Sequence, residues 1–147
     1  MPYVAWWAWR QERRAARIGQ PLPEQLLKFA QWLGIRQAER IRVVLVPRIP
    51  FPGAAWMHRL AARIGFDRDG ICGLCLRYGI FLTEAPEAAL ESTLRHELVH
   101  TQQYERCGSL AGFLRRYLVQ CLCDGYGDAA LEAEARSRSC QAPPAFR

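Results

Sequence analysis

His96-Glu97-Leu98-Val99-His100 sets two histidines four residues apart with a glutamate beside the first. On a period of 3.6 residues, His96 and His100 project from one helix face a turn apart. Two imidazole nitrogens can then reach a single zinc ion, with Glu97 close enough to take a proton from a water on it. The flanking residues support a helix. Thr83 suits an N-cap and Pro86 a first turn, Leu90, Leu94, Leu98 and Val99 form an apolar stripe, and Gly108 supplies a stop. The helix is predicted over Glu84–Cys107, with the two histidines near its middle, where the backbone is most rigid.

Upstream of this helix, Ile71–Leu76 and Tyr78–Leu82 read as one bulged strand or a tight pair leading directly into it. The β-branched run Ile41–Val46 predicts another strand, closed by Pro47, and Ile49–Gly53 a rigid turn in which either proline is a cis candidate. Ala54–Ile64 reads as a short helix or an irregular crossing segment, and Gly65–Gly70 as a loop. Helices are expected near Val4–Ile18 and Pro23–Leu33, each ended by a glycine. Downstream, Ser109–Cys123 is amphipathic and Gly125 and Gly127 break it, before a last helix with Asp128 as N-cap. The pattern predicts one α+β domain over residues 1–147, with N-terminal helices in 1–35 and strands and catalytic core in 41–136.

Of the 147 residues half are hydrophobic, enough for a single core, and the net charge is +6. Arginine supplies every basic residue except Lys28, but the arginines are scattered, which favours base composition over nucleic-acid binding. The aromatic run Met1–Trp9 is too short to span a bilayer and its positive charges follow it, so it is read neither as a signal peptide nor as a span, and the protein is expected in the cytoplasm. Together with Arg10, Arg13, Arg14 and Arg17, the same run could lie at a membrane interface or dock its tryptophans on its own domain. In a reducing compartment the six cysteines are thiols. Cys72 and Cys75 have C-x-x-C spacing but no matching pair, so they are read as small buried residues of a strand.

Two histidines do not complete a catalytic zinc site, which usually has three protein ligands. Thr101-Gln102-Gln103-Tyr104-Glu105 follows the motif, so a closely spaced third histidine is missing, and His58 sits in an apolar and basic stretch that suits packing. An acidic ligand from the last helix is left. Glu132 and Glu134 are both candidates, and two residues apart on a helix they point in different directions, so only one can join the histidines.

H-E-x-x-H, an intervening helix, and an acidic residue with alanine three positions on resembles the gluzincin pattern of zinc metallopeptidases. Glu132 with Ala135 matches it, whereas Glu134 would put Ser137 at the alanine position. One branch of those peptidases has aspartate where this chain has Arg136. The resemblance runs from Ile80 to Arg136, and the motif helix with Gln102 and Gln103 is similar to that of small bacterial zincin-like proteins. It implies a minimal zincin-like domain and a zinc-dependent peptidase, with Zn2+ on His96, His100 and Glu132, Glu97 as general base, and a peptide or protein as substrate. An oxyanion donor is sought among Tyr126, Tyr104 and Arg136, with Tyr126 preferred because it precedes the third ligand. Two other functions fit the motif less well. A non-catalytic zincin-fold binding module has no need of Glu97, and a DNA-associated metalloprotease would explain the arginine excess but lacks a separate basic region. The oligomeric state is left open.

Overall fold

A computed structural model describes residues 2–53, 59, 61–63 and 70–141. Helix α1 (Pro2–Ile18) is followed by strand β1 (Gln20–Pro21), helix α2 (Glu24–Trp32), a single 3-10 turn (Ala38–Arg40) and strand β2 (Arg42–Val46). Strands β3 (Gly73–Leu76) and β4 (Gly79–Thr83) form a hairpin, after which come helices α3 (Glu87–Cys107), α4 (Leu110–Asp124) and α5 (Ala130–Ser139). The strands make one mixed sheet in the order β1-β2-β4-β3, with β2 and β4 parallel and the other neighbours antiparallel.

Side-chain alternation divides the core between the faces of this sheet. Ile80, Leu82 and Cys75 join Leu26, Phe29, Leu94 and Leu98 on the side of α2 and α3. Phe81, Val44, Val46 and Leu76 meet Ala8 and Ala15 of α1 on the other. Glycine allows the close approach of α1: a Cβ on Gly79 would lie 2.8 Å from Ala15 Cβ, and one on Gly19, just after α1, would lie 2.8 Å from Arg42 Cβ of β2. The architecture is a mixed α and β domain, compatible with the α+β expectation.

Several boundaries differ from the sequence reading. The long helix begins at Glu87 with Pro86 as N-cap, because the residue before a proline is driven out of helical geometry. Thr83 instead closes β4, its N–H donating to Cys72 O at 3.0 Å. The last helix is capped by Ala129 without a side-chain bond, so Asp128 does not fill that role. Cys75 is buried in β3, but Cys72 is exposed and precedes the strand, so the pair does not share one buried setting. The prolines of the Ile49–Gly53 turn are trans. Most of the segments read as Ala54–Ile64 and Gly65–Gly70 lies outside the described residues. No helix among the described residues is long and apolar enough to cross a membrane.

The hairpin turns on Arg77, whose φ of 61° is unusual for a residue with a side chain. Its guanidinium offsets that cost with a bidentate grip on Glu12 of α1, at 2.8 Å for each bond. Its carbonyl accepts the Thr101 hydroxyl of α3 at 2.8 Å. The hairpin is therefore tied to a helix on either side.

Candidate metal centre

His96 and His100 leave α3 on adjacent turns, and their Nε2 atoms are 3.1 Å apart. From α5, Glu132 places Oε2 3.2 Å from His96 Nε2 and Oε1 3.2 Å from His100 Nε2. Ala135, fully buried one turn beyond Glu132, presents only a methyl group where α5 packs on α3. That small side chain accounts for the E-x-x-A spacing in physical terms. These three residues are a group of potential metal ligands among the described residues.

The donor set fits zinc. A tetrahedral ion with bonds of about 2.0–2.1 Å has edges of about 3.3–3.4 Å between donors. The Nε2–Nε2 separation of 3.1 Å is within about 0.3 Å of that value, and the carboxylate turns one oxygen toward each ring at 3.2 Å, close enough for Glu132 to complete the set. Two imidazoles and a carboxylate also match the N and O ligands that zinc accepts.

Neighbouring side chains fix the ligands in place. The Gln103 amide donates through Nε2 to Leu131 O and to Glu134 Oε2, both at 2.9 Å, so its Oε1 is the atom facing His100 Nδ1 at 2.8 Å. The Nδ1 atom therefore carries a hydrogen, which leaves Nε2 as the ring atom that would hold a metal. Tyr117 of α4 donates to Glu132 Oε1 at 2.6 Å.

Electrostatics also favour a cation here. Glu132 is only 2% exposed. Burial would raise its pKa, but His100, His96 and the Tyr117 hydroxyl hold it well below the ordinary carboxylate range. Burial opposes charge on His100, yet bonding to Glu132 and the charge of Glu97 raise its pKa to about 9. Glu97, 6% exposed, is pushed upward chiefly by burial, against the pull of both histidines.

Glu97 is placed by a residue that sequence reading did not single out. A Cβ on Gly73 would lie 2.5 Å from Glu97 Oε1 and 2.8 Å from Thr93 Cγ2, so only glycine leaves the carboxylate its position beside β3. The backbone of Cys75 donates to the same carboxylate. Strand β3 is at the end of the sheet, and no described strand pairs with its outer edge. A glycine inside a strand was the only available signal of such an approach. Tyr117 and the amide role of Gln103 were also missed, because both depend on contacts between separate helices.

Two cavities meet at Glu97. One, of about 140 Å³, has Glu97, His100 and Glu132 at one end and apolar side chains such as Trp7, Phe51 and Leu114 around the rest. The other is a more open groove of about 680 Å³, bordered by His96, Glu97, Thr93, Tyr126 and Arg136. Tyr126 lines both. Burial, with Glu132 and Glu97 nearby, raises its pKa, so its phenol stays a hydrogen-bond donor.

The remaining candidates lie elsewhere. Glu134 turns outward to Arg106, with bonds of 2.7 and 2.9 Å, and does not join the histidines. Tyr104 is 2% exposed, packed on Phe113 with ring centroids 3.8 Å apart, and its hydroxyl donates to Cys75 O at 3.4 Å. It packs in the core with its hydroxyl directed to the β3 backbone. The Arg136 guanidinium bonds Gly127 O. Gln102 accepts from Arg138 at 3.1 Å. His58 is outside the described residues.

No known protein family, curated protein or solved structure matches this chain.

Proposed function

We propose that the protein is a zinc-dependent metallopeptidase of the gluzincin type, built on a minimal zincin-like domain. The observation that carries this reading is the closure of His96, His100 and Glu132 into one triangle with Glu97 beside it. His96, His100 and Glu132 would hold the zinc ion. Zinc, when bound, supplies a Lewis acid that acidifies water and polarises a carbonyl.

The chain's own groups then have distinct tasks. Glu97 accepts the proton of the attacking water and passes it to the leaving amine, and burial suits it to this by bringing its pKa toward neutrality. Tyr126 offers its phenol hydrogen to the developing oxyanion. The outer edge of β3 pairs with an extended peptide through backbone hydrogen bonds, which hold a substrate whatever its sequence. The apolar cavity accepts one substrate side chain next to the cluster. A purely structural ion would leave the buried Glu97 without a task.

Metal analysis of the wild type beside His96→Ala, Glu132→Ala and Glu97→Gln tests the reading. Near-stoichiometric zinc is expected in the wild type, with loss in the first two variants. Glu97→Gln is expected to retain zinc while peptidase activity falls roughly 10²–10⁴-fold. A wild type purified without metal and unable to take up zinc overturns the proposal.

A further inference from the structure

The two faces of α1 differ in kind. Val4, Ala8, Glu12 and Ala15 are buried against the rest of the domain. On the outward side, Tyr3, Trp6 and Trp9 are 44%, 50% and 44% exposed, and Arg10, Arg13, Arg14 and Arg17 follow them in the chain, all exposed. Tyr3, Trp6, Arg10, Arg13 and Arg17 recur at intervals of three and four, so they form one stripe along the helix. Trp9 extends it sideways.

This stripe carries positive charge without any negative charge. Glu12 is the only acidic residue of α1, and it is buried in the grip of Arg77. Among the described residues, none of Arg10, Arg13, Arg14 and Arg17 forms an ion pair. The positive character continues into an adjoining cleft walled by Arg13, Arg40 and Arg77, where Glu12 is again the only acid.

Three half-exposed aromatic residues in a row would be costly if they faced water alone, and their surroundings indicate what they face. The Arg10 guanidinium lies 5.0 Å from the centre of the Trp6 ring, and that of Arg13 lies 5.0 Å from the centre of the Trp9 ring. Each guanidinium covers one face of its ring and leaves at most the other for a base to stack on. Indole and phenol rings interleaved with guanidinium groups instead match the boundary of a lipid bilayer, where the rings sit at headgroup depth and the cations meet phosphates. We infer that the outer face of α1 docks the protein on an anionic lipid bilayer, through Tyr3, Trp6 and Trp9 at headgroup level and Arg10, Arg13 and Arg17 against lipid phosphates. The surface needs no metal in the cluster and does not depend on peptidase activity.

Co-sedimentation of the full chain with vesicles tests this inference. Vesicles of phosphatidylcholine containing about one quarter phosphatidylglycerol are expected to bind at least roughly tenfold more tightly than phosphatidylcholine alone, and added salt should weaken the binding steeply. Arg10→Gln/Arg13→Gln/Arg17→Gln should reduce affinity for the anionic vesicles on the order of a hundredfold. Trp6→Ala/Trp9→Ala should reduce it as well, and circular dichroism should show an intact fold because both side chains are largely outside the core. Equal binding to the two vesicle types, no binding to either, or a triple arginine variant that binds like the wild type overturns the inference. So does binding to single-stranded oligonucleotides in the absence of vesicle binding.

Discussion

Two carboxylates at opposite ends of the α3 environment are satisfied in different ways. Near the helix C-terminus, Glu105 accepts the backbone N–H groups of Arg36 and Gln37 at 2.8 and 3.1 Å and the Tyr78 hydroxyl at 3.0 Å. Its donors are complete within the chain, and its pKa is lowered despite partial burial. Near the middle of the helix, Glu132 has one hydroxyl donor and otherwise faces two imidazole nitrogens that converge on a common point. That set becomes complete only with a cation or a proton. Glu105 thus completes its bonds within the fold, whereas Glu132 is placed with the two histidines as a potential cation ligand.

The contrast can be broken most severely at Gln103, which holds the His100 tautomer. Gln103→Leu is expected to weaken zinc binding roughly 10–100-fold in a competition titration with a chelator. Unchanged affinity would show that His100 needs no such orientation. A smaller effect is expected at Gly73. Gly73→Ala should displace the Glu97 carboxylate and lower kcat by about tenfold with zinc content preserved, at a stability cost of about 1–3 kcal/mol. If kcat holds steady in a correctly folded variant, Glu97 is not positioned by this contact.

The smallest effect on chemistry should come from Glu105→Gln. It should lose about 1–3 kcal/mol of stability in denaturant titrations at neutral pH, while zinc content and turnover stay at wild-type levels. Because the folded pKa of Glu105 lies below its unfolded value, the wild type's advantage is fully present above the unfolded carboxylate range. It shrinks as pH falls through the acid range toward the folded pKa. A wild-type advantage that grew in acid would contradict this assignment of Glu105.

The helix bearing the histidines was legible because its apolar period and its glycine stop are local signals; the spacing of Glu132 and Glu134 said only that one of them could face the histidines, and the preference for Glu132 came from the resemblance. The structure brings His96, His100 and Glu132 together and sends Glu134 to Arg106. Other features had no local signature. Strand β1 is two residues long and exists only through its pairing with β2. The closeness of Gly73 to Glu97 depends on how a hairpin packs on a helix more than twenty residues later, and the Tyr117 bond to Glu132 joins α4 to α5. The helix start moved from Glu84 to Glu87 because Pro86 outweighed the capping preference of Thr83.

Arg77 gives the dynamics of the domain a definite shape. Its side chain holds Glu12, 65 residues earlier, and its carbonyl holds Thr101, 24 residues later. Local opening of the hairpin must release both ends at once, so slow amide exchange in the middle of α1, in β4 and around Thr101 should reflect one cooperative unit with a shared opening free energy. A ligand on the outer face of α1 would then slow exchange in the helix that bears the histidines, at sites it never touches.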